Sequence, residues 1–221
     1  MRVLVTGATG DIGKFVLDEL LAHGNSVAAF LPKLDVTSQE SVEAWMAHAG
    51  PADALVVAHG APGCIKPVTQ MTPEEFRRII DVDLVGSFLV ARQFLKYAAP
   101  GASIVFISSI HAIAAYPERA AYAAAKAGVL GLSRALAVEL APRNIRVNCV
   151  LPGQVEGTRR SAKLLETFPE QLKARIPTGR LVSPESVAEA VLYLLTARNT
   201  TGAALVVDGG HTSSAWFLPH A

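Results

Sequence analysis

The sequence predicts an α/β fold, a doubly wound parallel sheet in a single domain, and three observations carry that reading. Six short apolar runs, at residues 3–5, 27–31, 54–58, 104–107, 145–150 and 203–207, are continuous rather than alternating. Continuous runs suit strands covered on both faces, as in a parallel sheet. Helical patterns fill the gaps between the runs, and strand-helix alternation along a whole chain is the signature of this architecture. The 221 residues are 51% hydrophobic, enough for one full core, and no repeat, low-complexity tract or linker divides them.

The first run leads directly into Gly7-Ala8-Thr9-Gly10-Asp11-Ile12-Gly13 and then into a helical pattern over 14–24. Glycines after a first strand let the backbone turn tightly and approach a pyrophosphate, which the helix N-terminus then stabilises. Their place after a strand and before a helix puts a dinucleotide site ahead of a plain turn. Asp11 suits the helix dipole but would repel a phosphate unless its side chain points away. After the second run the chain passes through Pro32, Lys33 and Leu34 to Asp35-Val36. A doubly wound unit normally has a helix and another strand there, so this unit is either missing or reduced to an extended fragment at 34–36.

Helix starts follow. Thr37-Ser38-Gln39-Glu40 and Thr72-Pro73-Glu74-Glu75 read as capping boxes, the second with Pro73 at the favoured first position. Ser183-Pro184 opens the last helical pattern in the same way. The stretch AYAAAKAG, residues 121–128, is a small-residue helix carrying Tyr122 and Lys126 four positions apart, which places both heads on one side. Packing or chemistry would each explain that pair.

Composition excludes several classes. Net charge is +1, which gives no bulk attraction to nucleic acid. Cys64 and Cys149 have neither metal-ligand spacing nor a disulfide framework and read as free thiols of a reducing cytoplasm. No apolar run approaches a membrane span, and the N-terminus lacks the pattern of a signal peptide. The expected location is cytoplasmic.

Ser109, thirteen residues before Tyr122, ends the run SIVFISS. Together Ser109, Tyr122 and Lys126 resemble the Ser-Tyr-x-x-x-Lys signature of the short-chain dehydrogenases/reductases. The stretch around them, through Pro152-Gly153, and the final GAALVVDGG also resemble that family, and the likeness covers nearly the whole chain. The resemblance implies a Rossmann-like domain over 1–221 that moves a hydride between a nicotinamide and an alcohol/carbonyl substrate. Tyr122 would be the general acid/base, and Ser109 would hydrogen-bond the substrate oxygen. Lys126 would bind the nicotinamide ribose. An ammonium roughly 6 Å from the phenol at an effective dielectric of ~20 contributes about 3 kcal/mol to its ionisation. By the same likeness Gly7, Thr9, Gly10, Asp11, Ile12 and Gly13 would form the pyrophosphate turn. Asp35 and Val36 would meet the adenine, and Ala58, His59 and Gly60 would lie along the cofactor. Pro152, Gly153, Val155 and Thr158 would approach the nicotinamide carboxamide, although PGQVEGT has one residue more than the usual spacing.

Three departures stand out. Asp11 occupies a position where the commonest family pattern has glycine. The family's Asn-Ala-Gly reads Ala58-His59-Gly60, losing an asparagine that braces the sheet. In DVDLVGSFLV, Asp83 stands where the family has an asparagine whose bound water links the lysine to solvent. Asp83 is expected to substitute in that proton relay or to pair with Lys126. The cofactor is expected to be NADP(H) or NAD(H), and Lys33, able to meet a 2′-phosphate, tips the choice toward NADP(H). Residues 154–178 resemble the substrate-covering segment; Arg159, Arg160, Lys163, Lys173 and Arg175 there read as a solvated basic face or an attraction for an anionic substrate. His111, Ile113 and Tyr116 read as pocket wall. The partners expected are a small carbonyl or alcohol and further copies of the chain, as a homodimer or homotetramer. The rival readings are a nucleotide-binding sensor or scaffold without turnover, and a lyase or epimerase on the same fold.

Overall fold

The computed structural model describes residues 1–29, 34–61, 63–167 and 169–214. All six apolar runs contain a strand: β1 (Arg2–Thr6), β2 (Ser26–Ala28), β3 (Ala54–Val57), β4 (Ser103–Ile107), β5 (Arg146–Pro152) and β6 (Ala204–Val207). They pair in parallel in the order β2-β1-β3-β4-β5-β6. The helices are α1 (Gly13–Ala22), α2 (Gln39–Ala49), α3 (Pro73–Ile80), α4 (Gly86–Phe94), α5 (Ala120–Leu140), α6 (Arg159–Thr167), α7 (Pro169–Ala174) and α8 (Pro184–Thr196). Successive strand residues point to opposite faces, so a strand covered on both sides must be apolar throughout. Leu4, Leu55, Ile104 and Phe106 pack with α2, α4 and α5, while Val3, Val56 and Val105 pack with α1 and α8.

Among its described residues the link after β2 forms neither a helix nor a further strand. Among the described residues, β2 is a three-residue edge strand, and Leu34 to Val36 form no strand before α2. Lys33, with residues 30–32, lies outside the described residues. The first expected capping box also shifts: Ser38, not Thr37, caps α2, its hydroxyl accepting the Ser41 N–H at 3.2 Å. Thr37 is held instead by Asp35, whose Oδ1 accepts both its N–H (2.9 Å) and its hydroxyl (2.7 Å). The Thr72–Glu75 box forms in full, and Ser183 caps α8.

Two features position the site. The chain leaves β1 for β2 on one side and returns to β3 on the other, so a crevice opens between the carboxyl ends of β1 and β3. Between α3 and α4 one wide π turn, Asp81–Val85, interrupts the α-helical bonding. Such turns re-aim side chains and recur at functional sites; this one carries Asp83.

Candidate active site

At the crevice, the backbone of the glycine turn decides its residue types. Gly7 has φ 71°, and a Cβ there would lie 2.6 Å from His59 Cα; a Cβ on Gly13 would collide with the Gly7 carbonyl oxygen. The turn is therefore folded tightly against the loop after β3 and against itself. α1 opens with no side-chain cap and no acidic residue in its first turn, which leaves its N-terminus open to an anion. Asp11 does point away. Its Oδ2 accepts the Arg159 N–H at 3.1 Å and lies 3.7 Å from Arg159 Nε, at the start of α6. A pyrophosphate fits the turn.

At the other end of the crevice, Ser109 leaves β4 extended and caps a 3-10 turn, Ile110–Ala112. Its neighbour Ser108 donates to the Lys126 carbonyl oxygen at 2.9 Å, tying the end of β4 to α5. α5 brings Tyr122 and Lys126 to one side, with Lys126 Nζ 5.5 Å from the Tyr122 ring centroid. The small residues have a packing role as well: a Cβ on Gly128 would stand 2.7 Å from Leu84 Cδ2, so the helix lies hard against the π turn. From that turn the Asp83 carboxylate meets Lys126 directly, Oδ2 to Nζ at 3.1 Å, and both side chains are buried. Asp83 Oδ1 also accepts the Ala61 N–H at 2.6 Å.

The surroundings of Lys126 fix its charge. Burial by itself would lower its pKa, but the Tyr122 and Asp83 oxygens outweigh that and hold the ammonium above the ordinary lysine value. His59 goes the other way: burial first, then the nearby Lys126 charge, pushes it down to about 4. It is a neutral imidazole at pH 7, with Nδ1 bonded to Thr6 Oγ1 at 2.8 Å. That bond, with the Gly7 backbone at its back, makes His59 a brace between β1 and β3. Burial likewise pushes the Cys149 thiol up to about 12 and makes it inert.

The other expected residues distribute unevenly. Val36 is buried against Gly86, where a Cβ would come within 2.8 Å of Val36 Cγ2, and Asp35 spends its carboxylate on Thr37. Thr9 and Gly60 are exposed at the crevice, where Ala58 is half-buried. Pro152 ends β5, Gly153 packs on Asp208, and Val155 bridges to Val182. Thr158 caps α6, its Oγ1 accepting the Ser161 N–H at 3.1 Å and donating to the Val155 carbonyl at 3.1 Å. The side chains of Arg160 and Lys163 lie outside the described residues. His111 and Tyr116 stack with ring centroids 4.4 Å apart, and His111 lies edge-on to Tyr122 at 5.1 Å. Ile113 is exposed. Three contributors carried no local signal: Thr6, Ser108, and His211, whose Nε2 lies 3.3 Å from the Tyr116 hydroxyl. His211 follows the Asp-Gly-Gly turn, which was legible only as a turn.

A family model described as enoyl-(acyl carrier protein) reductase matches residues 1–212. The chain belongs to the short-chain dehydrogenase/reductase family. It is 37% identical over 217 residues to the 3-oxoacyl-[acyl-carrier-protein] reductase of Thermotoga maritima, covering 92% of this chain and 87% of that one. A variant of actinorhodin polyketide ketoreductase with NADPH superposes with a TM-score of 0.87 at 30% identity, covering 96% of this chain and 97% of that chain. The 3-ketoacyl-(acyl-carrier-protein) reductase of Brucella melitensis complexed with NADH gives 0.86 at 30% identity, covering 96% and 98%. As a short-chain dehydrogenase/reductase the protein is an NAD(P)-dependent oxidoreductase. No helix among its described residues is long and apolar enough to cross a membrane.

Proposed function

We propose that this short-chain dehydrogenase/reductase interconverts a small alcohol and its carbonyl compound, with Tyr122 as general acid/base. The observation that carries the reading is the buried Lys126 ammonium 5.5 Å from the Tyr122 ring centroid at the end of the crevice. A fixed cation beside a phenol stabilises the phenolate, and so eases proton transfer at the phenolic oxygen. The nicotinamide, when bound, supplies or accepts the hydride. In the reducing direction, Tyr122 would give its hydroxyl proton to the substrate oxygen, and in oxidation it would take that proton back. Ser109, buried at the end of β4, hydrogen-bonds the same oxygen. Gly7, Gly10, Ile12 and Gly13 would hold the pyrophosphate, Asp35 and Val36 would meet the adenine, and Gly60 and Val155 would lie on the side of the nicotinamide. Asp11 acts through Arg159, outside the phosphate site. His59 acts as a brace and Thr158 as the cap of α6.

The whole chain acts as one unit in this reading, with 154–178 covering the substrate against the His111–Tyr116 wall. Val85, Phe88 and Val138 are exposed apolar residues on the π turn, α4 and α5, which supports assembly into a homodimer or homotetramer through these elements. The test is turnover of nicotinamide cofactor with a panel of ketones and aldehydes, in wild type and Tyr122→Phe. Turnover in the wild type falling at least about 10³-fold in Tyr122→Phe, with nucleotide binding retained, is the expected result. Nucleotide binding without turnover on any carbonyl would point to a sensor instead.

A further inference from the structure

A lysine buried without an anion gives up its proton, because desolvation penalises the charged form. Lys126 is such a lysine unless something compensates, and the groups facing it can be named. Tyr122 faces it from its own helix, Cys149 from β5, His59 from the loop after β3, and Asp83 from the π turn. Cys149 is held as a thiol and His59 as a neutral imidazole by their own burial. Tyr122 and Asp83 are left to raise Lys126, Tyr122 the more strongly, and Asp83 is the carboxylate among the described groups that touches the ammonium, Oδ2 3.1 Å from Nζ.

The carboxylate is also fixed in space. Asp83 Oδ1 is held by the Ala61 N–H at 2.6 Å, and its carbonyl oxygen accepts the Ser87 hydroxyl at 2.6 Å. The wide turn over Asp81–Val85 is what aims the side chain at α5. An asparagine in this place would keep the bond to Ala61 but bring no charge.

We infer that Asp83 is a positioning residue, the built-in counter-ion that keeps Lys126 protonated and pins its ammonium beside Tyr122. Lys126 then carries its charge in the resting protein, before any nucleotide arrives. This rests on the functional reading above for its consequence in turnover, but not for its measurement.

The experiment follows the Lys126 side-chain resonance by heteronuclear NMR against pH in the nucleotide-free protein, assigned with Lys126→Arg, in wild type and Asp83→Asn. The wild-type midpoint is expected at or above the ordinary lysine value of ~10.4, and the Asp83→Asn midpoint at least about 1 unit lower, a tenfold loss of charged lysine at alkaline pH. The alkaline limb of kcat/KM should move down with it. An unchanged midpoint in Asp83→Asn overturns the inference, since a merely structural aspartate would alter stability alone. A wild-type midpoint below the ordinary value overturns it without any variant having to fold. Absence of turnover in the wild type would count against the oxidoreductase site and leave the NMR comparison standing.

Discussion

Two aspartates, one at each end of the crevice, stand where the family pattern has an uncharged residue, and each has found a cation. Asp11 in the glycine turn pairs with Arg159 at 3.7 Å, with the arginine side chain 87% exposed. Asp83 pairs with Lys126 at 3.1 Å, and both side chains are almost wholly buried. Water screens the first pair, so its attraction is weak and falls with salt. The second lies where each charge would be costly alone, so the pair is worth most when one imagines half of it removed. The same substitution type therefore yields a surface tie between the nucleotide turn and the covering segment at one end, and an obligatory buried pair at the other.

The sharpest way to break this contrast is to delete each carboxylate. Asp83→Ala leaves a buried ammonium without its partner and is expected to cost about 3–5 kcal/mol in urea unfolding. Adding Lys126→Met to an Asp83→Leu background should restore much of that stability while turnover stays lost, which separates folding from function. The pair's pH sign is also defined. Because the folded lysine titrates above the ordinary value of 10.5, its contribution is full below that value and disappears as pH rises through the folded one.

His59 links the two regions, backing onto Gly7 on one side and facing the Lys126 charge on the other. Its pKa falls from 6.5 unfolded to about 4 folded. At pH above 6.5 both states are neutral and nothing is lost. Below that the unfolded chain takes up a proton that the folded one refuses, so stability should fall by up to about 3 kcal/mol as pH drops toward 4. Denaturation of wild type and His59→Ala across this range checks it: the variant should show a correspondingly shallower acid limb.

The smallest effect belongs to Asp11. Asp11→Ala should change unfolding stability by no more than about 1 kcal/mol and should lessen its salt dependence. A loss as large as that of Asp83→Ala, measured in the same urea series, would show the comparison to be wrong.

Much of this site was legible because it is written locally. Gly7, Gly10 and Gly13 announce a tight turn by type and spacing, and Ser109, Tyr122 and Lys126 stand out by their resemblance to the family signature. The Thr72–Glu75 box formed as read because both partners lie within four residues. The Thr37 reading missed by one residue because Asp35 competes for Thr37 just outside the helix, a contest that spacing does not show. Asp83 was legible as a departure with two expected roles, relay or partner of Lys126, but that it meets the ammonium directly depends on a π turn and on α5 lying close over Leu84. Asp11 found Arg159 across 148 residues, a distance no local pattern spans.

The alternation of continuous apolar runs with capped helices was by itself enough to determine a parallel, doubly wound sheet, because strands covered on both faces admit few polar residues. Residue types and short spacings singled out Tyr122, Lys126 and the glycine turn, and the family resemblance supplied the roles expected of them. Tertiary structure alone decided the charges. Whether a carboxylate ties a surface or holds a buried ammonium, and whether a histidine near the crevice is charged, depends on how much water remains around it. That is set only when distant segments close over the site.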